Sequence, residues 1–522
     1  MSPQPSHRPK PDSARIIWVP LVLTLALFAL SMTARVQASF VVTSSLRGAS
    51  AALLLWTGAL FLHLRHTQAG RGLDIVLRPQ HYIQALVQLS LFAYWGWYWR
   101  PVYDMSVLIA AQLLFAYGFS ILLTWSRGRR YSLGFGPFPI ILSINLFLWF
   151  KDDWFYLQFL MIAIGFLGKE LIHWNRDGRR VHIFNPSAFS LGLFSLVLIA
   201  TGATDLTWGP EIASTLTLAP SIYLFLFLVG LVVMYFFSIT LVAGVAAATL
   251  FALSALYSMW TGVPYFLDSE IPAAVFLGLH LLITDPSTSP KTQLGKGLFG
   301  GLYGLGVFGL YAILGAAGAP TFYDKLLCVP LLNLSVRGID YLVATQGRRV
   351  RGLGLPSSWT PARLNLGHMA LWIAFFGLIS VTGRTDGRHV GDSLPFWETS
   401  CVEGRRNACE RLLQVKASYC GDNSAWACNE LGLHYATGEV IGADQPVATG
   451  YFSRACELRF QAACANLLDP GSGRRTVPKP LDLRLLLREG GLNLMQMPES
   501  NLFARACAHG WDFACQPQGR PS

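Results

Sequence analysis

The sequence predicts an all-α fold: a polytopic membrane helical bundle of about 12–13 spans, followed by an extracytosolic, disulfide-bonded α/α repeat domain. Three observations lead to it. Of the 522 residues, 53% are hydrophobic and 13% are charged, about half the charged fraction of soluble domains. Apolar runs of membrane-spanning length recur between residues 16 and 382. Eight of the nine cysteines follow residue 385, where the composition becomes that of a soluble domain.

Thirteen apolar segments have the composition of membrane helices. The first follows the basic stretch HRPKPDSARI and lacks a small-residue cleavage site, so it predicts a retained helix rather than a removed signal peptide. The tenth holds only about fourteen apolar residues, so the number of membrane spans is uncertain by one or two. The segments are 16–33, 48–64, 82–98, 105–125, 137–150, 155–173, 184–200, 219–238, 240–259, 271–284, 297–317, 326–343 and 367–382.

The net charge of +11 comes largely from short basic loops between these segments. Such loops face the cytosol in membrane proteins, so the charge indicates topology and argues against a nucleic-acid partner. With the N-terminus in the cytosol, thirteen crossings place the chain from about Thr385 in the periplasm of a bacterial inner membrane. The loops are LRHTQAGRG, SRGRRYS, NRDGRRVH, KTQLGK and QGRRVRGLG.

The C-terminal cysteines form four pairs of the pattern C-x7-C. Residues eight apart in one helix lie about 12 Å apart, whereas a disulfide needs Cα atoms within about 7 Å. Each bonded pair must therefore bridge a corner between two helices. No C-x-x-C zinc or haem motif is present, and disulfides agree with an oxidising compartment. The predicted pairs are Cys401 with Cys409, Cys420 with Cys428, Cys456 with Cys464, and Cys507 with Cys515.

The stretch from Cys428 to Cys456 resembles the secreted, cysteine-rich members of the SEL-like branch of tetratricopeptide-type repeats. The matching positions are Cys428, Leu431, Gly432, Tyr435, Gly438, Asp444, Ala448, Phe452, Ala455 and Cys456. The resemblance implies a stack of helix pairs. Such solenoids generally bind partners rather than catalyse, so we expect a protein partner on this domain.

Two X-Pro-Ser sequences interrupt apolar runs about 100 residues apart. Asn185-Pro186 opens one motif and Asp285-Pro286 opens the other. Paired interruptions are typical of proteins built from repeats, where ions or cofactors bind. We expect the two motifs to share a polar site near the cytosolic face; the alternative is a pair of ordinary helix boundaries.

Four segments in this order resemble one family of electron-transport proteins. They are GFLGKELIHW, IFNPSAF, TDPSTSP followed by a Gly-rich helix, and KLLCVPLLNLSVRGID. Across residues 82–345 the chain is similar to the D subunit of the Rnf complex and the B subunit of the sodium-translocating NADH:quinone oxidoreductase. The resemblance implies flavin mononucleotide (FMN), joined through its phosphate to the last threonine of a Thr-Gly-Ala-Thr motif. That threonine is Thr204, preceded by Gly202 and Ala203.

These observations predict a membrane electron-transfer subunit that uses covalent FMN, with ion coupling left open. The domains are 1–81, an N-terminal tail and two accessory helices; 82–345, the flavin-type core; 346–384, a basic loop and last helix; and 385–522, the repeat domain. The chain has no nicotinamide fingerprint, Fe–S cysteine set or haem motif. Redox partner subunits in the membrane or outside the cytosol are therefore implied. The alternative function is a redox-silent transporter or scaffold.

Overall fold

The computed structural model describes residues 17–67, 71–128, 130–176, 178–266, 269–350, 360–385, 391, 394–421, 424–438 and 440–469. It is mostly helical, with 77% helix and 4% strand. The chain forms two compact units: residues 1–250 with 273–378, and residues 251–272 with 379–522. The domain boundaries expected from the sequence stay a prediction.

The first unit holds most of the apolar helices. In chain order the helices up to residue 381 are α1 (Trp18–Leu30), α2 (Ala34–Gln37), α3 (Phe40–Thr67), α4 (Pro79–Tyr98), α5 (Pro101–Asp104), α6 (Ser106–Arg127), α7 (Pro137–Asn145), α8 (Tyr156–Leu171), α9 (Pro186–Ala200), α10 (Gly209–Thr215), α11 (Ile222–Phe237), α12 (Thr240–Thr261), α13 (Ala273–Leu281), α14 (Gln293–Ala316), α15 (Asp324–Val350) and α16 (Pro361–Val381). Short 3-10 helices occupy Asp152–Trp154, Thr204–Leu206, Leu216–Leu218, Pro286–Thr288 and Thr321–Tyr323.

Within the described residues, six helices are long and apolar enough to cross a membrane. They are Phe40–Thr67, Pro101–Arg127, Thr240–Thr261, Gln293–Ala316, Thr321–Thr345 and Pro361–Val381. Three further apolar helices, α1, α9 and α11, are shorter. This composition indicates a membrane protein, whereas the expected count of 12–13 spans stays a prediction.

Two expected membrane helices are much shorter than predicted. The segments 137–150 and 271–284 form only the nine-residue helices α7 and α13, about 14 Å long at 1.5 Å per residue. The prediction of a continuous spanning helix in each is therefore wrong. Every residue of both helices is buried except Phe138. These two segments are therefore apolar because they pack inside the protein.

Buried amides explain how α7 can end inside the unit. The Asn145 side chain exchanges hydrogen bonds of 2.6 and 3.1 Å with Gln112. Gln158 donates to Gln112 and accepts from the Phe150 backbone amide at 3.1 Å. The next residue, Lys151, donates its amide to the carbonyl of Leu206 at 2.9 Å. Backbone groups freed by a broken helix need such partners.

Two small sheets depart from the all-α prediction. Strand β1 (Gly72–Ile75) pairs in parallel with β2 (Arg130–Leu133), and β3 (His173–Arg176) pairs antiparallel with β4 (Arg179–His182). These strands lie in or directly beside the basic loops of the sequence. Because the strands have only four residues each and carry no sustained alternation of apolar and polar residues, no sequence pattern predicts them.

The Gly-rich helix α14 packs closely against α12. A Cβ atom at Gly300 would lie 2.4 Å from the carbonyl oxygen of Val242, and one at Gly304 would lie 2.8 Å from the Thr249 Cβ. Only glycine allows the two backbones to approach this closely. Gly300 and Gly304 therefore serve helix packing.

The second unit includes a helical domain whose helices are α17 (Leu394–Val402), α18 (Ala408–Gly421), α19 (Ala425–Thr437), α20 (Gln445–Glu457) and α21 (Gln461–Leu468). At its centre Lys416 is fully buried. Its Nζ lies 3.0 Å from Glu398 Oε1, 3.3 Å from Glu430 Oε2 and 3.0 Å from His434 Nε2. A buried charge of this kind requires its partners, so these contacts fix α17, α18 and α19 together.

Three of the predicted disulfides are confirmed. Cys401–Cys409 joins α17 to α18, Cys420–Cys428 joins α18 to α19, and Cys456–Cys464 joins α20 to α21. The Cα separations are 4.5, 4.7 and 4.7 Å. Each bond thus bridges a helix corner, as the C-x7-C spacing predicted.

The fourth predicted disulfide, between Cys507 and Cys515, is not confirmed. Cys507 and Cys515 both lie outside the residues that the structure describes. The bond to Cys515 therefore stays a prediction that depends on the sequence spacing alone.

We expect Cys507 and Cys515 to be joined to each other, because they have the same spacing as the three confirmed pairs. Peptide mapping of the non-reduced full chain should yield four local cross-links. Removing one disulfide with the double substitution Cys420→Ala and Cys428→Ala should destabilise the helical domain by about 2–4 kcal/mol. A free thiol at Cys507 or Cys515, or a bond from either to another pair, would contradict the expectation.

Candidate functional site

The two X-Pro-Ser motifs meet at one cavity of about 880 Å³ within the first unit. Asn185, Pro186, Asp285 and Pro286 all line its wall. The structure therefore brings together the two motifs that the sequence places 100 residues apart. Their position relative to the cytosolic face stays a prediction.

Asn185 is the cap of helix α9. Its Oδ1 accepts hydrogen bonds from the backbone amides of Ser187 at 3.1 Å and Ala188 at 3.2 Å. Its Nδ2 donates to the carbonyl of Leu282 at 3.3 Å, just ahead of the second motif. The Asn185 side chain thus caps the start of α9 and contacts the residue that follows the end of α13.

Asn333, on α15, connects the two motifs. Its Oδ1 accepts from the Asn185 amide at 3.0 Å, and its Nδ2 donates to the Thr288 carbonyl at 3.3 Å. Asn333 is 1% exposed. The residue is the asparagine of the segment KLLCVPLLNLSVRGID, one of the four that resemble the electron-transport family, but the sequence does not predict that it contacts the two motifs. Only the fold shows that it reaches both motifs, since the partners are 148 and 45 residues away.

Asp285 caps the 3-10 helix Pro286–Thr288. Its Oδ1 accepts from the Ser287 amide at 2.9 Å and from the Ser287 hydroxyl at 2.6 Å. Its Oδ2 lies 3.8 Å from His182 Nε2. Burial alone would raise the pKa of the Asp285 carboxyl, but the interactions with His182 and Ser287 outweigh it and hold this pKa below its ordinary value of 3.8. Asp285 is therefore ionised at neutral pH.

We expect Asp285→Asn to lower the stability of the first unit at neutral pH by about 1–3 kcal/mol, because asparagine can still accept from Ser287 but lacks the negative charge that strengthens these hydrogen bonds and attracts His182. A depressed pKa stabilises the folded state above the unfolded pKa, and this contribution is lost as pH falls. The gap in melting temperature between wild type and variant should therefore shrink below about pH 4. Thermal unfolding of the full chain in detergent measures the difference in melting temperature. A difference that grows as the pH falls would contradict the ionised state of Asp285.

Several cavity residues were not identified as site residues from the sequence. They include His182, which lies in a basic loop, and Arg78 and His81 at the start of α4. Lys169, on α8, also lines the cavity, beside the motif that it precedes. Two signals were available: His182 lies three residues before Asn185, and Lys169 lies in GFLGKELIHW, one of the segments that resemble the electron-transport family.

The Thr-Gly-Ala-Thr loop follows the opposite end of α9. Gly202 adopts a positive φ of 65°, and a Cβ atom there would meet open space. Thr204 is half-buried and begins the 3-10 helix Thr204–Leu206. Ala203, between them, donates its amide to the Leu198 carbonyl at 2.9 Å, which ties the loop to the end of α9.

The hydroxyls of this loop differ in their contacts. Thr201 Oγ1 donates to the Val197 carbonyl at 2.8 Å, and Thr207 Oγ1 donates to the Thr204 carbonyl at 3.1 Å. In the part of the chain that the structure describes, the Thr204 hydroxyl makes no hydrogen bond. Of the three threonines, Thr204 is therefore the one with an uncommitted side-chain oxygen.

The neighbours of this loop are a cation and an indole. Lys151 pairs with Leu206 through its backbone, and its Nζ lies 5.7 Å from the centre of the Trp208 ring. Trp208 in turn packs edge-on against Trp99 at 6.4 Å. Lys151 has the charge that pairs with a phosphate and Trp208 has the ring that a flavin can contact, so the chemistry of these two side chains is compatible with FMN.

The predicted cofactor residues therefore form two groups. Asn185, Pro186, Asp285 and Pro286 lie at the cavity, and Gly202, Ala203 and Thr204 lie past the other end of the 15-residue helix α9. A helix of that length separates them by about 20 Å. Searches of protein-family models, of curated proteins and of solved structures find no match to this chain.

Proposed function

We propose that this protein is a membrane electron-transfer subunit that carries FMN covalently on Thr204. The observation that carries the proposal is the uncommitted Thr204 hydroxyl, in a loop whose other threonines are hydrogen-bonded. A phosphoester needs an accessible oxygen of this kind. Bound FMN would supply the ability to accept and release electrons.

Three features of the loop suit such a group. Gly202 leaves open space beside the backbone, which gives a transferase and the flavin room to approach. Lys151 offers a positive charge for the phosphate, and Trp208 offers an aromatic surface. Asp205 is exposed, so its carboxylate can turn toward solvent and away from the phosphate.

The disulfide-bonded helices support an oxidising location for the C-terminal unit. On this proposal the unit lies in the periplasm and docks a redox partner, as SEL-like repeats dock proteins. The Thr204 loop would lie on the same side of the membrane, where an extracytosolic flavin transferase could modify it. The partner subunits, the electron donor and the electron acceptor belong to the same proposal.

A redox-silent transporter or scaffold is the second candidate. It is favoured by the way Asn185 and Asp285 are used, because their side chains mainly cap their own helices. Such contacts hold a polar cavity together without any cofactor.

Flavin fluorescence separates the two functions. The full chain, co-expressed with a flavin transferase, is denatured, run on a gel and illuminated. The proposal predicts a fluorescent band at the mass of the chain. A dark band, beside a flavinylated control protein that fluoresces, would favour the redox-silent alternative.

A further inference from the structure

The last turns of helix α12 expose a stripe of large apolar side chains. Helix α12 is one of the six that are long and apolar enough to cross a membrane, and its residues from 251 onward belong to the second unit. Leu256, Met259 and Trp260 are 62%, 83% and 74% exposed. Residues three and four apart share one face of a helix, so these side chains form a single stripe. On a membrane helix, such a stripe faces lipid.

Trp260 marks one end of this stripe. It lies one residue before Thr261, where α12 ends. Tryptophan is enriched where a membrane helix meets the lipid headgroups, because its large ring is apolar while its N–H group is polar. The position of Trp260 therefore indicates the level of the headgroups on α12.

The disulfide loop Cys401–Cys409 is fixed against the same end of α12. Arg405 Nη1 donates to the Gly262 carbonyl at 3.1 Å, and Asn407 Nδ2 donates to the Tyr257 hydroxyl at 3.0 Å. The loop and residues 251–272 belong to the same unit. The loop therefore has a defined position beside the apolar stripe.

Arg406 lies between these two anchoring residues and contacts the stripe itself. Its guanidinium carbon lies 4.7 Å from the centre of the Trp260 ring, and the residue is exposed. In the part of the chain that the structure describes, the Arg406 guanidinium makes neither an ion pair nor a hydrogen bond. A guanidinium stacked on an aromatic face keeps N–H donors at its edge, and these donors match the oxygens of a phosphate.

The positive charge of Arg406 is not balanced within the loop. Glu403 is the one acidic residue between the two cysteines. Its Oε2 lies 2.8 Å from Arg405 Nε, so this carboxylate already has a cationic partner. Arg406 is therefore the excess cation of the loop. A cation at headgroup level attracts anionic lipids.

We propose that Arg406, stacked on Trp260, binds the phosphate of an anionic phospholipid and so holds the Cys401–Cys409 corner at the bilayer surface. The apolar stripe on α12 contacts the acyl chains of the lipid, and the free N–H groups of Arg406 donate to its headgroup. The partner of this surface is thus the membrane itself. The proposal does not depend on flavin at Thr204.

Three substitutions test the role of the Arg406 charge. Arg406→Gln removes the cation, and Arg406→Lys retains it. Arg459→Gln is the matched control, because Arg459 is also exposed and also lies between the cysteines of a disulfide corner, Cys456–Cys464. The replaced side chains are on the surface, so we expect all three variants to unfold at the wild-type temperature.

Hydrogen exchange of residues 402–408 provides a local measurement. The full chain is placed in phosphatidylcholine nanodiscs that contain increasing fractions of phosphatidylglycerol. Exchange in the wild type should slow as this fraction rises. The fraction that gives half of the effect should be about fivefold higher for Arg406→Gln, the loss expected for one surface cation. It should stay near the wild-type value for Arg406→Lys and Arg459→Gln.

Two results would overturn the proposal. One is exchange of residues 402–408 in the wild type that does not depend on phosphatidylglycerol. The other is a half-effect fraction that is equal for Arg406→Gln and Arg459→Gln, because the charge of Arg406 would then have no specific role.

Discussion

Thr204→Val should carry no covalent flavin, whereas Thr201→Val should remain flavinylated. Valine keeps the size and branching of threonine but lacks the oxygen that would form the phosphoester. Thr201 lies in the same loop, and its hydroxyl is bound to the Val197 carbonyl at 2.8 Å. It is therefore a matched control for any effect of the substitution on folding. We expect both variants to reach the membrane in equal amounts.

In-gel flavin fluorescence, normalised to the amount of chain, measures this difference. The expected signal is absent for Thr204→Val and near the wild-type level for Thr201→Val. Flavin that persists in Thr204→Val would show that another residue is modified. Loss of flavin in both variants would show that the loop as a whole is recognised and would leave Thr204 unassigned.

Asn333→Leu should destabilise the first unit and open the cavity. Leucine has similar size but leaves the buried Asn185 amide and the Thr288 carbonyl without their present partner. Each unsatisfied buried group costs about 1–3 kcal/mol, so the total loss is about 2–6 kcal/mol. Thermal unfolding in detergent should therefore show a larger fall in melting temperature for Asn333→Leu than for Asp285→Asn.

Asn365→Leu is the matched control for that experiment. Asn365 also bridges two backbone groups, accepting from the Thr240 amide at 3.3 Å and donating to the Met234 carbonyl at 3.2 Å. Both variants should lose stability, but only Asn333→Leu should speed hydrogen exchange around residues 183–190 and 284–290. Equal exchange in those segments for the two variants would show that Asn333 does not join the motifs.

The sequence predicted most of the helices because apolar runs report burial. Each of the thirteen expected segments overlaps a helix of the structure. The same signal failed at α7 and α13, because an interior helix is as apolar as a membrane helix. At α7 the difference lies in Gln158, which accepts from the Phe150 amide, and in Gln112, which bonds to the side chains of Asn145 and Gln158 from a distant part of the chain.

The disulfides could be predicted from the sequence alone, whereas the composition of the cavity could not. Cys420 and Cys428 are eight residues apart, so local geometry decides their bond. The cavity joins residues from Val76 to Ser287, and no local pattern relates them. Asn185 and Asp285 could be singled out by their prolines. Asn333 lies in a segment that resembles the electron-transport family, but its contacts with both motifs are tertiary and could not be predicted.

The intact mass of the full chain, purified after co-expression with a flavin transferase, tests the covalent flavin most directly. We predict a mass equal to the unmodified chain plus one FMN less one water, and a return to the mass of the unmodified variant chain in Thr204→Val. An unmodified wild-type mass, from cells that flavinylate a control protein, would contradict the assignment of FMN to Thr204.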